Sequence, residues 1–228
     1  MLEQFREIPS RGASRFSMVR PATVNLPSIE PRNHQQGIQR TTGGDFVVSG
    51  SGSRSGYIYF ADRSSLKIGE VLTPVVSNFN HFGGIQVADD ILAAGYERFE
   101  SGAAGTSVVL FYDVRSVASP TALDHLTIER TSSGQTAGAV GLCHDGVSWL
   151  LLVANCSGRL DFYRSNGDDL FATTTCFALV GSWQFSPNGL GAGSIDGRWG
   201  SMKTSTCLPM RMARSGLWEW RRFSSVLI

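Results

Sequence analysis

A seven-residue motif occurs twice in this chain at an offset of 47 residues, and this spacing constrains the fold more than any other feature. The stretch "NHQQGIQ" covers 33–39 and "NHFGGIQ" covers 80–86, with five of the seven positions identical. Self-similarity at a period of about 50 residues is typical of chains built from one supersecondary unit that packs against its own copies. The motif therefore predicts a repeated architecture.

Each copy of the motif begins a segment with the pattern of several short strands. In the first unit, a strand after Gly37 is followed by a Gly-Gly-Asp turn, the apolar run "FVVSG" and the aromatic run "GYIYFAD". The second unit shows Gly84, an Asp-Asp turn, "ILAAGY" and "SVVLFYD" in the same order. Short apolar runs between Gly- and Asp-containing turns predict antiparallel strands.

A third unit, starting near 134, follows the same order without the motif itself. It contains Gly138, an Asp-Gly turn, "WLLLVA" and "RLDFYRS". Each unit ends in one more strand-like stretch, at 65–74, 121–130 and 170–181. The chain therefore offers about four strands in each unit of roughly 50 residues.

Four antiparallel strands at this period resemble the blades of bacterial β-propeller proteins, over residues 33 to roughly 185. The resemblance lies in the repeat pattern alone, because the chain lacks the Trp-Asp dipeptide of WD-repeat propellers and the full kelch signature. It implies an all-β fold, a β-propeller-like array of about three four-stranded blades plus a fragment. A β-sandwich and an irregular antiparallel barrel are the alternatives, but neither explains the 47-residue repeat.

The composition agrees with short strands and tight turns. Charged residues make up 17% of the chain, below the roughly 25% usual in soluble domains, and there are 26 glycines. No segment shows a helical period. The net charge of +1 gives the repeats no electrostatic reason to bind nucleic acid.

The N-terminal residues 1–32 form an irregular, proline-containing lead-in, with one strand expected near 22–27. They contain no apolar run of signal-peptide type, and the longest apolar runs elsewhere are too short to span a bilayer. We therefore expect a soluble protein without a secretory signal in the chain as written.

The four cysteines are Cys143, Cys156, Cys176 and Cys207, and none forms a CxxC or CxxH pair. A zinc site thus has no local support. A bridge between Cys143 and Cys156 across one hairpin is one interpretation. Buried free thiols are the other, which we favour.

The character of the sequence changes after Gly189. Residues 190–228 contain three of the five Trp, three of the five Met and a charge of +4, whereas 1–189 carry −3. Nucleic-acid binding and a membrane-surface element would both suit a basic, Trp-bearing segment. We favour out-of-frame or disordered sequence, with a divergent last blade as the alternative.

The repeated motif contains the candidate ligand-binding residues of the chain, which are Asn33, His34, Gln39, Asn80, His81 and Gln86. In a propeller, the start of the inner strand lies near one rim of the central channel, so paired imidazoles and amides there could hold a polar ligand or a metal. The third unit has Gly134 and Gln135 at the histidine-bearing positions. A structural role for the histidines, hydrogen-bonding loop backbone between blades, is therefore favoured.

No catalytic motif of a hydrolase, metalloprotease, P-loop or dinucleotide-binding enzyme is present. The aspartates in turns, such as Asp145 and Asp169, are expected to bond their own backbone and not calcium. We therefore expect a non-catalytic binding or scaffold module without cofactor or metal, taking a protein or glycan ligand and able to self-associate through open blade edges. A propeller-type hydrolase or lactonase with a metal near the channel mouth is the alternative, as is a truncated product without independent function.

Overall fold

The computed structural model describes most of the predicted repeat region and shows an all-β fold. The described residues are 18–24, 35–52, 55–74, 76, 79–98, 105–132, 134–155 and 158–184. Within them there are thirteen strands, one short 3-10 helix and no α-helix. The predicted fold class, all-β, is confirmed.

The first four strands form an antiparallel meander, hereafter the first sheet. They are β1 (Gln35–Arg40), β2 (Phe46–Gly50), β3 (Tyr57–Ala61) and β4 (Ile68–Leu72), paired in chain order. The turn between β1 and β2 contains Gly44 at φ +91°, a conformation that glycine adopts without steric cost. Asp62 begins the turn between β3 and β4, where its carboxylate accepts the backbone N–H groups of Ser64 and Ser65.

The second sheet repeats this order with an interrupted last strand. It consists of β5 (His81–Ala88), β6 (Ile91–Glu97), β7 (Ser107–Asp113), β8 (Thr121–Ala122) and β9 (Ile128–Arg130). Both β8 and β9 pair antiparallel with β7, and the 3-10 helix Asp124–Leu126 lies between them. The single strand predicted over 121–130 is therefore two short strands, because buried Leu126 turns into the core at this point.

The third sheet contains β10 (Ala139–His144), β11 (Trp149–Ala154), β12 (Arg159–Ser165) and β13 (Phe177–Gln184). Strands β11 and β12 coincide with the predicted runs "WLLLVA" and "RLDFYRS". The last strand was predicted at 170–181 but begins only at Phe177. Residues 170–176 instead form a loop, in which Leu170 is buried and the Asp169 carboxylate accepts the backbone N–H of Phe171.

The three sheets stack face to face through two apolar cores. The core between the first and second sheets includes Ile58 and Phe60 of β3 against Leu92 and Tyr96 of β6. The core between the second and third sheets includes Ile91 and Ala93 of β6, together with side chains of β10, β11 and β12. Strand β6 is buried along its whole length because it has a neighbouring sheet on each face. This double burial explains its continuous apolar sequence.

The first strands of the sheets lie side by side, and glycines permit their close approach. The backbone N–H of Gly84 donates to the carbonyl of Gly138 at 2.8 Å, and β10 pairs in parallel with β5 at this point. A Cβ at Gly83 would lie 2.4 Å from the carbonyl oxygen of Ala137, which no side chain tolerates. A glycine is thus required where one sheet begins against the next. Through this parallel pairing, the second and third sheets join into one mixed sheet of nine strands, and within the described residues neither it nor the antiparallel first sheet closes on itself.

The segment 18–24 covers the outer face of the first sheet. Met18 and Val24 pack against a third apolar cluster formed by β2, β3 and β4, and Val19 makes an isolated bridge with Lys67. Residues 22–24 form no strand, so the described part of the strand expected at 22–27 is absent. The predicted tail, 190–228, lies outside the described residues.

Cys143 and Cys176 are free and exposed. The expectation of buried thiols is therefore wrong for these two cysteines. The side chain of Cys143 alternates with buried Leu142 on β10 and so emerges on the opposite face of the strand. Cys156 and Cys207 lie outside the described residues.

Candidate functional site

The repeated motif places His81 at the first position of β5, where the side chain is nearly enclosed. The residue is 8% exposed, and its Nδ1 lies 3.2 Å from Oε1 of Glu97 on β6. On its other side, Nε2 lies 2.7 Å from the amide nitrogen of Gln36 on β1. Because an amide NH₂ group only donates, Nε2 is the acceptor in this contact. His81 thus joins the first two sheets.

A bulge in β5 decides which residue faces His81. Pairing runs from Ala88 opposite Ile91 to Ile85 opposite Ala94, and then shifts by one residue before Phe82. Without this shift, the count from the Asp89-Asp90 turn would place Arg98 opposite His81. With it, the histidine faces the carboxylate of Glu97.

Strand β1 has an irregularity at the corresponding place, between Gln35 and Gly37. The residue in the gap is Gln36, whose side-chain amide contacts His81. Close by, the Ser49 hydroxyl accepts the backbone N–H of Gly37 at 3.0 Å and donates to the carbonyl of Gly83 at 2.9 Å. Two polar side chains of the first sheet therefore contact the start of the second.

Glu97 extends the same cluster to the third sheet. It is 3% exposed, and its Oε2 accepts the backbone N–H of Ala137 at 2.6 Å, just before β10. A buried carboxylate is tolerated only when hydrogen-bonded or paired, and Glu97 has the Ala137 N–H group on one oxygen and the His81 ring beside the other. We call Gln36, His81, Glu97 and the Ala137 N–H group the inner polar cluster.

Of the other predicted ligand-binding residues, the structure describes Gln39, Asn80 and Gln86. Asn80 precedes it in the chain, and its backbone N–H donates to the Glu97 carbonyl at 3.2 Å. Gln39 is half-buried on β1, and Gln86 donates its amide to the carbonyl of Val87 at 2.9 Å. Asn33 and His34 lie outside the described residues. Gln36 and Glu97, which do meet His81, were not among the predicted residues.

A second buried cluster lies between the second and third sheets, around Arg130 of β9. Arg130 is 1% exposed, and its Nη2 lies 2.8 Å from the carboxylate of Asp161 on β12. The same guanidinium donates to the Tyr163 hydroxyl at 2.6 Å, to the Asn155 amide oxygen at 2.7 Å and to the Ser107 hydroxyl at 3.1 Å. Its donors are thus distributed over groups of both sheets, as a buried guanidinium requires.

Asp161 is ionised over the whole physiological range. Burial alone would raise the pKa of this carboxyl, but hydrogen bonds from Ser182, Asn155, Arg130 and Arg159 lower it to about 2. Tyr163 has a raised pKa because it is buried. At neutral pH the phenol therefore stays protonated and the carboxylate stays charged, so neither group is poised to transfer a proton.

Sequence reasoning missed this second cluster, although a signal was present. Arg130 is in phase with Ile128, and Asp161 with Tyr163, so both charges fall on the core face of their strands. When each of two strands has a charged residue on its core face and the two charges are opposite, the sequence predicts a buried ion pair. Because Arg130 and Asp161 are 31 residues apart in the chain, the sequence does not show which charged residues pair.

Turn aspartates hold their own backbone, as predicted. Asp145 accepts the N–H groups of Val147 and Ser148, and together with the Arg164 guanidinium these lower its pKa to about 2. His144 beside it pairs through Nε2 with the Asp168 carboxylate, while its Nδ1 accepts the Gly146 N–H at 3.2 Å. These bonds shape the loops at one end of the third sheet.

A cavity of about 360 Å³ opens between the end of the first sheet and the outer strands of the second. Leu72 and Pro74 form one wall, and Tyr112 and Asp124 belong to the other. Burial raises the pKa of the Tyr112 phenol, and the Asp124 charge raises it further, so the hydroxyl is a donor at neutral pH. The cavity is mainly apolar, and its polar lining residues are Thr73, Tyr112, Asp124 and Thr127.

The described residues contain no group of three or more His, Cys, Asp or Glu side chains placed to hold a metal ion. In the same part of the chain, no helix has the length and apolar character that a membrane crossing requires. No protein-family model matches the chain, and no curated protein matches it either.

Proposed function

We propose that this chain is a β-propeller-like array that serves as a non-catalytic binding or scaffold module for a protein or glycan ligand. The observation that carries the proposal is that the buried polar side chains hydrogen-bond to the protein itself. Both clusters connect one sheet to the next, and their hydrogen-bonding groups are directed at backbone and side chains of the neighbouring sheet. Such groups hold a rigid stack in register and present its loops to a partner.

The arrangement of the sheets supports the proposal that each sheet is one blade of a propeller. Each sheet begins with a strand that lies beside the first strand of its neighbour, and β5 has β1 and β10 as close neighbours. In a propeller, the first strands line the central axis and successive four-stranded blades pack face to face. Propellers contain 4–8 blades, so three sheets correspond to part of a ring.

We assign ligand binding to the turns at one end of the stack. A meander places the turn after its first strand and the turn after its third strand at the same end. Neighbouring sheets adjoin there, because the Thr42 hydroxyl donates to the carbonyl of Asp89 at 2.8 Å. We call this surface the turn face; it comprises 41–45, 62–67, 89–90, 113–120, 144–148 and 166–169.

The turn face is acidic. Its segments contain eight aspartates and three Lys or Arg residues. Clustered carboxylates on exposed turns create a negative potential that attracts cationic surfaces even where single aspartates are hydrogen-bonded locally. A protein ligand with a basic surface therefore fits this face better than a neutral glycan. His81, at 8% exposure, is assigned to the scaffold.

The test is a binding screen of the full chain against a peptide array of graded charge and a glycan array. We expect saturable binding to basic peptides, weakened by Asp90→Lys and retained in the control Glu129→Lys, which places the same charge change on an exposed residue outside the turn face. Loss of binding in both variants, or no binding to either array, contradicts the proposal. Metal-dependent ester or lactone hydrolysis by the purified chain would support the enzyme alternative.

A further inference from the structure

The cavity between the first and second sheets differs from the two buried clusters in the state of its polar groups. Its polar lining residues are Thr73, Tyr112, Asp124 and Thr127. Within the described part of the chain, none of these four side chains forms a hydrogen bond or an ion pair. The buried side chains around Glu97 and Arg130, by contrast, bond to the protein itself. The cavity therefore presents polar groups that folding leaves without a protein partner.

Tyr112, on β7, is the lining residue that most needs a partner. It is 6% exposed, and its hydroxyl forms no hydrogen bond with any other described residue. A polar group buried to this extent costs free energy unless it is hydrogen-bonded. Tyr96 on β6 shows the usual solution, because its hydroxyl donates to the carbonyl of Phe79 at 2.6 Å. The Tyr112 hydroxyl lines the cavity instead, where a bound molecule can supply the missing hydrogen bond.

The charge of the lining favours a cationic ligand. Asp124, the first residue of the 3-10 helix, is exposed and is the one charged residue among the described lining residues. Burial and then the Asp124 charge raise the pKa of the Tyr112 phenol, which indicates that the carboxylate lies near it. Carboxylate and hydroxyl oxygens all accept hydrogen bonds, and an ammonium group brings three N–H donors with the opposite charge. An anionic ligand would be repelled.

The rest of the lining is apolar and suits a compact apolar body. It comprises Leu72, Pro74, Val76, Leu110, Phe111 and Ala122. The volume of about 360 Å³ lies near the lower end of the range for ligand pockets, roughly 300–1,000 Å³. Pockets of this kind are mostly apolar, and a few polar groups fix the orientation of the ligand.

We propose that this cavity binds a small hydrophobic amine, with its ammonium group held by Asp124 and Tyr112 and its apolar body between the first two sheets. The carboxylate pairs with the positive charge, and the buried phenol oxygen accepts an N–H group of the same ammonium. None of the described lining residues belongs to the turn face. The proposal therefore holds or fails independently of peptide binding at that surface.

The experiment is calorimetric titration of the full chain with three molecules that share an aromatic body. They are phenethylamine, which is cationic, phenethyl alcohol, which is neutral, and hydrocinnamate, which is anionic. We expect saturable binding of the amine, binding of the alcohol that is weaker by about threefold to tenfold, and no binding of the anion. This comparison uses the unmodified chain and so does not depend on the folding of any variant.

Asp124→Asn should remove the preference for the cation. We expect it to lower the affinity for phenethylamine by about threefold to tenfold and to leave the affinity for phenethyl alcohol unchanged. The matched control is Glu129→Gln, which removes an exposed carboxylate of β9 that does not line the cavity. It should bind both molecules like the unmodified chain.

Tyr112→Phe distinguishes ligand binding from a structural role. Because the hydroxyl has no partner among the described residues, its removal should not lower the melting temperature, yet it should weaken amine binding by about threefold or more. Tyr59→Phe should behave in the opposite way, since the Tyr59 hydroxyl accepts the Gln35 amide at 2.6 Å outside the cavity. No saturable binding of the amine, equal binding of all three molecules, or an amine affinity unchanged in Asp124→Asn and Tyr112→Phe would each overturn the proposal.

Discussion

His81 faces Glu97, and not Arg98, because the bulge before Ile85 shifts the pairing of β5 and β6 by one residue. The consequence is an imidazole whose Nδ1 lies 3.2 Å from a buried carboxylate, which in turn accepts the N–H group of Ala137 at the start of the third sheet. One local irregularity therefore positions the polar contact that spans all three sheets. The first predictions concern this contact and the glycine beside it.

Removing either member of the His81–Glu97 pair should destabilise the fold. We expect His81→Ala and Glu97→Ala to lower the free energy of unfolding by about 1–3 kcal/mol each, because the partner is left buried with an unmet hydrogen bond. Glu97→Gln should cost less than Glu97→Ala, since its amide oxygen still accepts the Ala137 N–H. Urea unfolding measures these differences. The control His144→Ala removes an exposed histidine, and an equal loss there would show that the buried position has no special role.

Gly83→Ala should be strongly unfavourable, because the new methyl group would lie 2.4 Å from the Ala137 carbonyl oxygen and 2.5 Å from that of Gly138. We expect a loss of about 1–3 kcal/mol in unfolding free energy, as the two sheets must separate to admit it. Gly69→Ala is the matched control in β4, where no atom lies within 4 Å of the added carbon. Similar melting temperatures for the two variants would refute the close approach of β5 and β10.

Stability should decline in acid through the depressed aspartates. Hydrogen bonds from Ser148 and Val147, with the charge of Arg164, hold the pKa of Asp145 at about 2. A folded pKa below the unfolded value of about 4 gives stability that is present above that value and is lost as the pH falls through about 2. Unfolding free energies measured from about pH 6 to about pH 2 should fall less steeply for Asp145→Asn. An unchanged slope would show that this carboxylate contributes nothing to folding.

The strands were predictable from sequence where local information sufficed. Strands β11 and β12 have alternating or continuous apolar residues between turn residues, and both were placed with their observed ends. Strand β13 was placed seven residues too early. Leu170 and Phe171 look like the start of a strand, but Leu170 packs into the core of a loop closed by Asp169 and Thr175. A strand and a loop anchored in the core by apolar side chains have similar sequences.

The candidate site was predictable only in part, because its partners depend on register and on long-range packing. The repeated motif identified His81, but the one-residue bulge that selects Glu97 has no distinct signal beyond the Gly83-Gly84 pair. Arg130 and Asp161 are separated by a whole hairpin, and only the stacked sheets bring them together. The aspartates of the turns were assigned correctly, since their hydrogen bonds reach two or three residues along the chain.

The stacking of the second and third sheets through a buried ion pair is the central claim, and a double-mutant cycle on Arg130 and Asp161 tests it most directly. Each single variant, Arg130→Met and Asp161→Asn, should lower the unfolding free energy by about 3–5 kcal/mol, because it leaves a buried charge without its partner. The double variant should lose less than the sum, giving a coupling energy of about 2 kcal/mol or more. Additive losses, with a coupling near zero, would mean that the two side chains do not meet and would contradict the stacked arrangement.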